Sequence, residues 1–336
     1  MKRIYASAIC ILIPVILQAK PALEIVLNSS QTTNPFGVAF DGKGTVYVAE
    51  YQGGRILHLN SEGKLRIFSG NGEKGFAGDG LDAGKAVYNG MHNVVRASNG
   101  DLYVSDTRNN LIRKIDGKTG LVSTIAGVPR QKGFSGDGGQ ATRAMLFDPI
   151  SISLSPDEKT LLIADIKNRR IRGVDLASGV IRTLAGNGDK GLPADGKQAT
   201  DQPLADPRAS ILDEEGNLYV LERGGNALRV VRPDGRIFTL AGTGRKGAKD
   251  GPGLKATFSG PKHLCMDGEG KIIIADDNNN LIRLYDPDTK KVSTILGGKA
   301  KPATKLNRPH GVAIAPDGGL WVCDSWNDRV VVLRNY

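Results

Sequence analysis

The amino-acid sequence predicts an all-β protein, a six-bladed β-propeller in which each blade is an antiparallel sheet of four strands. Glycine and proline are abundant, at 44 and 16 of 336 residues, and no long amphipathic segment interrupts the short strands and turns. A glycine-rich loop recurs four times, beginning at Gly70, Gly127, Gly186 and Gly242. A unit of about 50 residues recurs six times, and a period of that length with four short strands is typical of a propeller blade.

The six units share a core of strand, turn and strand, as in "NPFGVAFDGKGTVYVAE". They begin at Asn34, Gly90, Asp148, Asp206, Gly260 and Arg308. A third strand follows each core, and a fourth follows in five of them. The sixth unit stops after "DRVVVLRNY", whereas residues 23–27, "LEIVL", precede the first unit. We expect this early strand to pair with the last blade and close the ring, because closure removes an exposed sheet edge. Residues 20–336 therefore form one predicted domain.

The glycine loops do not predict a nucleotide site, although "GNGEKGFAGDG" at residues 70–80 has the glycine spacing of a dinucleotide-binding loop. A dinucleotide fingerprint occurs once per domain and opens a helix. These loops recur and lead into another strand instead. We interpret their acidic residues as turn formers rather than metal ligands. They are Asp79, Asp137, Asp195 and Asp250.

Residues 1–19 have the pattern of a secretory signal peptide. Lys2 and Arg3 precede an apolar run that ends at the small residue Ala19. Pro14 interrupts this run, which is short for a membrane span of about 20 residues. The sequence predicts a secreted or periplasmic protein with no transmembrane segment after cleavage. An uncleaved anchor is the alternative.

The net charge of +10 limits the classes of partner. In an exported protein, a basic surface favours an anionic small molecule, an acidic glycan or a partner protein, and nucleic acid is not expected. Cys265 and Cys323 lie within strands beside apolar neighbours. We expect both to be buried free thiols, because free cysteine behaves as a small apolar side chain.

The segment "ADIKNRRIRGVD" resembles the NHL repeat, through Asp165, Asn168, Arg170 and Ile171. Two other blades end alike, with Asp106, Asn109 and Ile112, and with Asp324, Asn327, Arg329 and Val330. The glycine-rich insert is similar to the variety common in exported bacterial NHL proteins. The resemblance implies a propeller over residues 23–336. It leaves the function open, since NHL propellers serve as enzymes, RNA binders and protein-binding platforms.

Blades 1 and 4 depart from this repeat, with Glu50 and Glu222 in place of aspartate and Gly53 and Gly225 in place of asparagine. An acid nevertheless ends the second strand of every blade. The six acids are Glu50, Asp106, Asp165, Glu222, Asp276 and Asp324. Their recurrence predicts a structural role in which each carboxylate accepts hydrogen bonds from turn N–H groups.

The first strand of each blade of a propeller lines the central axis, so one position in each blade should meet at the mouth of the channel. The residues at that position are Phe36, His92, Ile150, Arg208, Lys262 and His310. Arg208 would grip a carboxylate or sulfate in a forked geometry, with Lys262 as a point charge beside it. Trp326 is a candidate for stacking on a ligand. In the alternative, Arg208 pairs with a strand-ending acid, such as Glu222 on its own blade, and binds nothing.

A metal site is the second hypothesis for the mouth. The segment "RPHGVAI" around His310 resembles the zinc-binding motif of the peptidyl-hydroxyglycine amidating lyases, which are six-bladed NHL propellers. The resemblance implies zinc ligands at His92 and His310. A catalytic zinc usually has three protein ligands, and blade 4 offers Arg208, which cannot ligate a metal. His263 of blade 5, shifted by one residue, is the substitute for the third ligand. Calcium held by Asn93 and an acid is a further option. The sequence leaves the cofactor unknown.

Two functions therefore compete. The first is an exported binding or scaffolding propeller that recognises an anionic ligand or a partner protein at its axial mouth. The second is a metal-dependent lyase or hydrolase with a histidine-based site on the axis. No nucleophile motif such as G-x-S-x-G is present to support a covalent mechanism.

Overall fold

The computed structural model describes residues 22–298 and 305–336 as six antiparallel sheets. This arrangement confirms the predicted all-β propeller. The predicted signal peptide at residues 1–19 lies outside the described residues. Neither of these two ranges contains a helix that is long and apolar enough to cross a membrane.

Each blade runs outward from the axis through four strands. Blade 1 comprises Pro35–Phe40, Val46–Glu50, Ile56–Leu59 and Leu65–Ser69. Blade 2 comprises Met91–Arg96, Leu102–Asp106, Leu111–Ile115 and Val122–Ala126. Blade 3 comprises Pro149–Leu154, Thr160–Asp165, Arg170–Asp175 and Ile181–Ala185. Blade 4 comprises Pro207–Leu212, Leu218–Glu222, Ala227–Val231 and Arg236–Ala241. Blade 5 comprises His263–Met266, Ile272–Asp276, Leu281–Asp286 and Lys291–Gly297. Blade 6 comprises Pro309–Ile314, Leu320–Asp324 and Arg329–Arg334, and Ala22–Leu27 supplies its fourth strand.

The hydrophobic core lies between blades rather than within one layer. Six clusters of buried side chains fill the six interfaces. Between blades 1 and 2, for example, Ala49 and Ile56 pack with Met91 and Val94. The first strands contact their neighbours around the axis. Each blade is therefore held by the blades on both sides, as in other repeat proteins.

The strand Ala22–Leu27, which we call the closing strand, pairs antiparallel with Arg329–Arg334. Leu23 lies opposite Leu333, and Leu27 lies opposite Val330. The side chain of Leu27 is fully buried between blades 6 and 1. The predicted ring closure is thus confirmed.

The strand-ending acids have the predicted structural role. All six are fully buried, and each accepts a hydrogen bond from a backbone N–H 17 positions earlier in the chain, or 18 positions earlier for Asp165. Asp106 Oδ1, for example, lies 2.7 Å from Asn89 N. In four blades an asparagine donates to the other carboxylate oxygen, as Asn109 does to Asp106 at 2.8 Å. These contacts fasten the loop that enters each blade to the end of its second strand.

Within blade 1 and within blade 4, the change to glutamate and the change to glycine depend on each other. The longer side chain of Glu222 occupies the space that asparagine fills in the other blades, and a Cβ atom at Gly225 would lie 2.7 Å from Glu222 Oε2. A Cβ at Gly53 would likewise collide with Glu50 Oε2. Glutamate at the strand end therefore requires glycine three residues later.

We expect Gly225→Asn to lower the free energy of unfolding by about 1–3 kcal/mol through overpacking. Adding Glu222→Asp should recover most of that loss, because the pair then matches the aspartate and asparagine of blade 3. Urea unfolding measures both changes. Gly268→Asn is the control, since a Cβ there meets no atom within 4 Å. A double variant no more stable than Gly225→Asn would refute the coupling.

The four glycine loops lie against the blade that follows them. Their single 3₁₀ turns are Ala83–Lys85, Ala141–Arg143, Ala199–Asp201 and Gly253–Lys255. The N–H of Gly80 donates to the carbonyl of Val122 on the outer strand of blade 2 at 2.8 Å, and Gly138 does the same on blade 3. In blades 4 and 5, Lys197–Gln198 and Gly251–Pro252 add a short fifth strand. The loops thus extend the outer edges of the sheets.

Four buried arginines lie beneath these loops, and three of them, Arg113, Arg172 and Arg283, pair directly with a loop aspartate. Arg113, Arg172, Arg229 and Arg283 occupy the same position in the third strands of blades 2 to 5. Arg113 donates to Asp79 of its loop at 2.9 Å and lies 3.5 Å from the strand-ending Asp106.

The carboxylates of the loop aspartates bind the adjacent blade, which our interpretation of them as turn formers missed. Asp137 pairs with Arg172, and Asp250 pairs with Arg283, both at 2.6 Å. In blade 4, Asp195 accepts from Thr239 instead. Blades 1 and 6, which no glycine loop precedes in the sequence, have Leu57 and Val331 at the arginine position.

Candidate functional site

The predicted mouth residues come together at one end of the axis. Five of them, Phe36, His92, Ile150, Arg208 and Lys262, line a cleft of about 300 Å³. His310 lies beneath the cleft floor and is only 1% exposed. Each side chain is placed here because it starts the innermost strand of its blade.

A stack of rings forms part of the floor. Tyr51 stacks on Phe36 with ring centroids 4.6 Å apart, and Phe36 stacks on His310 at 4.0 Å. The His310 ring is thereby held flat beneath Phe36. Burial lowers the pKa of His310 well below its usual value, and the nearby charges of Lys262 and Arg208 lower it further. The imidazole is therefore neutral at ordinary pH.

Arg208 is bound to this neutral ring. Its Nη2 lies 3.0 Å from Nε2 of His310, so Nη2 donates and Nε2 accepts. The imidazole proton is then on Nδ1, which is buried without a hydrogen-bond partner among the described atoms. Burial first, and the charge of Arg223 second, lower the pKa of Arg208 to about 9.

No carboxylate of the described residues lies within 4.0 Å of Arg208, which is only 6% exposed. The alternative that Arg208 pairs with Glu222 is wrong, because Glu222 Oε2 is bound by Arg229 Nε at 2.7 Å. Nε of Arg208 also lacks a partner among the described atoms. A buried cation is costly unless a charge compensates it. The arginine therefore has unused capacity to bind an anion.

The positive charge of Lys262 is partly offset by an ion pair. Its Nζ lies 3.0 Å from Asp277 Oδ1, and the other oxygen of Asp277 accepts from Arg308 at 2.6 Å. Burial lowers the pKa of Lys262 to about 8, against the opposing effect of Asp277. This lysine supplies a positive charge to the cleft at neutral pH.

The histidines proposed as metal ligands lie at two depths. Nδ1 of His92 lies 3.1 Å from the carbonyl of Gly90, which only accepts, so Nδ1 carries the proton. His263 lies one residue deeper, and its Nε2 is 3.0 Å from Nδ2 of Asn93 on the opposite blade. That contact crosses the axis below the cleft.

The described residues contain no group of three or more His, Cys, Asp or Glu side chains that could hold a metal ion. The rings of His92 and His310 are 5.6 Å apart, and Nε2 of His310 is already bound by Arg208. Cys265 and Cys323 are both free, as expected. Cys323 is buried, whereas Cys265 is only partly so by surface exposure.

Trp326 lies in the 3₁₀ turn Ser325–Asn327 on the same face, and 62% of its surface is exposed. The guanidinium of Arg308 lies 5.8 Å from its ring centroid. Trp321, in contrast, packs edge-on against Phe40 between blades 6 and 1. The two tryptophans thus have different environments.

Sequence reasoning missed a second ring of residues around the cleft. Tyr51 and Arg223 immediately follow the strand-ending acids, and Lys167 follows one residue later in its blade. The signal was present in the sequence. The residue after each acid must lie on the mouth face, because the second strand ends there.

Comparisons with known proteins match the repeat pattern. The NHL repeat matches residues 306–333. The chain is 30% identical over 275 residues to Protein SUPPRESSOR OF QUENCHING 1, chloroplastic, of Arabidopsis thaliana, covering 78% of this chain and 26% of that protein. It is 27% identical over 345 residues to NHL repeat-containing protein 2 of Gallus gallus, covering 89% of this chain and 47% of that protein. The chain thus spans about a quarter to a half of the length of these relatives.

Among solved structures, an auxiliary nutrient binding protein from Bacteroides thetaiotaomicron superposes with a TM-score of 0.68. The alignment has 12% identity and covers 94% of this chain and 76% of that chain. At that identity, the likeness shows a shared fold.

Proposed function

Because this chain belongs to the NHL-repeat propellers, a fold that supports both binding and catalysis, we propose that it is a binding propeller whose axial mouth takes an anionic ligand. The observation that carries the proposal is the buried guanidinium of Arg208, which has no carboxylate within 4.0 Å among the described residues. A ligand carboxylate or phosphate would supply the missing charge through charge-assisted hydrogen bonds.

The size and surroundings of the cleft support a small ligand, or an acidic chain end of a partner protein. Its volume of about 300 Å³ is at the lower end for ligand pockets. A structural neighbour is named as an auxiliary nutrient binding protein, which agrees with a binding role. The signal-peptide pattern of residues 1–19 favours binding outside the cytoplasm, and cell fractionation with N-terminal sequencing tests that prediction.

Arg208→Ala should weaken binding of citrate or sulfate by about tenfold to a hundredfold, the value of a charged hydrogen bond. Arg208→Lys should retain part of the affinity, because lysine keeps the charge but loses the fork. Isothermal titration calorimetry measures both. Arg236→Ala is the matched control, since Arg236 is an exposed arginine of the same blade that pairs with Asp234. Equal affinities in Arg208→Ala and the parent protein would reject the proposal.

Anion affinity should also fall as the pH rises through about 8. Lys262 is charged below its pKa of about 8 and neutral above it, so its attraction for an anion is complete below that pH and lost above it. Titrations between pH 6 and 10 test this. Lys262→Met should remove the loss of affinity centred near pH 8. A later loss near pH 9, where Arg208 titrates, should remain. A step near pH 8 that persists in Lys262→Met would assign it to another group.

A further inference from the structure

The cleft has two unlike walls. Blades 3 and 4 supply Lys167, Arg208 and Arg223. Blades 6 and 1 supply Trp326, Phe36 and Tyr51. In a ring of six blades, blade 6 lies opposite blade 3 and blade 1 lies opposite blade 4. A cationic wall therefore faces an aromatic wall across the mouth.

The cations on the first wall are not neutralised by ion pairs. Arg108 and Lys262, elsewhere in the cleft, pair with Asp148 and Asp277. Within residues 22–298 and 305–336, no carboxylate lies within 4.0 Å of Lys167, Arg208 or Arg223. Two acids line this wall, and Asp148 is paired with Arg108 of blade 2, which leaves Asp206 to offset the three cations. The formal excess on the wall is therefore about two positive charges.

The second wall offers ring surface. Both faces of Phe36 are covered, by Tyr51 and by His310, so Phe36 presents its edge. Tyr51 is partly exposed and Trp326 is 62% exposed. A tryptophan this exposed contributes little to the core, whereas its face is well suited to a planar or sugar ring.

From this arrangement we propose that the ligand is a small ring compound carrying two negative charges, such as a phosphate monoester or a dicarboxylate of a ring. Its charged end binds Arg208 with Lys167 and Arg223, and its ring packs on Trp326. This inference rests on the proposed anion-binding function, and it specifies that the ligand contains a ring and carries two negative charges. The cleft volume of about 300 Å³ suits a ligand of this size.

The test compares three probes, phenyl phosphate, inorganic phosphate and phenol, by calorimetry at pH 7.5. We expect phenyl phosphate to bind at least about tenfold more tightly than either of the others, since a stacked ring is worth about 0.5–1.5 kcal/mol beyond the area it buries. Trp326→Ala should remove the advantage over inorganic phosphate and leave inorganic phosphate binding unchanged. Trp326→Phe should retain most of it. Arg208→Ala should weaken both phosphates.

The outcomes separate the two proposals. If phenyl phosphate and inorganic phosphate bind equally in the parent protein and both depend on Arg208, the ring inference is wrong and the anion site stands. If the advantage survives Trp326→Ala, or if phenol binds as tightly as phenyl phosphate, the ring inference is also wrong. If neither phosphate binds, or if Arg208→Ala changes nothing, the proposed function fails together with it.

Discussion

Removal of residues 22–27 is expected to lower the melting temperature by about 10 °C, because the last blade then loses its fourth strand and the ring loses its closure. The closing strand contributes the fully buried side chain of Leu27 and a hydrogen-bonded ladder to Arg329–Arg334. Burial of a leucine side chain and several ladder bonds together amount to about 5 kcal/mol. In a chain of this size each kcal/mol shifts the melting temperature by about 2 °C.

The deletion should have a second effect. The freed edge of blade 6 would present unpaired N–H and C=O groups, so the shortened protein should self-associate. Light scattering during thermal unfolding measures this alongside the transition.

Point variants in the closing strand show whether the loss of stability comes from lost ring closure or only from a shorter chain. Leu27→Ala should cost about 2–5 kcal/mol, the usual range for truncating a buried leucine. Ile25→Ala in the same strand is the control, because Ile25 is 51% exposed and its truncation should change stability by less than about 0.5 kcal/mol. A deletion variant with an unchanged melting temperature would show that the ring is closed by other contacts.

The architecture was predictable because its evidence is local and repeated. Each blade contains the same strand lengths, the same turn residues and an acid at the same place. Six copies average out the ambiguity of any one copy. The pairing of the closing strand could be predicted from the number of strands in each blade. Five blades had four strands, the sixth had three, and one extra strand preceded the first blade.

The contacts between copies were harder to predict. Arg208 of blade 4 binds His310 of blade 6, and Asn93 of blade 2 lies against His263 of blade 5. Neither pair is related by the repeat, so no pattern in the sequence indicates it. Sequence reasoning placed Arg208 and His310 at the mouth but offered Glu222 as a partner for the arginine. The partner of Glu222 is Arg229, two strands outward from Arg208 and on the same blade.

The sequence contained a signal for the buried arginines that our sequence analysis did not use. In the sequence, each third strand that follows a glycine loop carries an arginine, as in "LIRKI" and "RIRGV", and each loop carries an aspartate. The two blades without a preceding loop carry Leu57 and Val331 instead. This co-occurrence within one chain predicts contact between loop and arginine, which the structure shows in blades 2, 3 and 5. In blade 4, Arg229 is linked to its loop through Thr239.

Arg113→Ala is expected to lower the free energy of unfolding by about 3–5 kcal/mol at pH 8, because it leaves a buried carboxylate without its cation. The Arg113 side chain is fully buried, and it contacts Asp79, Asp106 and the carbonyl of Ala77. Its guanidinium also lies over the rings of Phe76 and Tyr88, at 4.9 and 5.5 Å. One substitution therefore releases both the loop and the strand end. Arg182→Ala is the control, since Arg182 is exposed on a neighbouring outer strand.

The loss should depend on pH in a definite direction. Burial already raises the pKa of Asp106 to about 6, and loss of the arginine charge raises it further in the variant. Between the unfolded pKa of about 4 and this raised value, the folded state holds the extra proton, so stability falls as the pH rises through that window. The deficit of Arg113→Ala should thus be smaller at pH 5 than at pH 8. Adding Asp106→Asn should recover part of the loss at pH 8, because the amide oxygen still accepts from Asn89 and no charge is buried. A deficit that is equal at both pH values and unchanged by Asp106→Asn would mean that the arginine acts by packing alone.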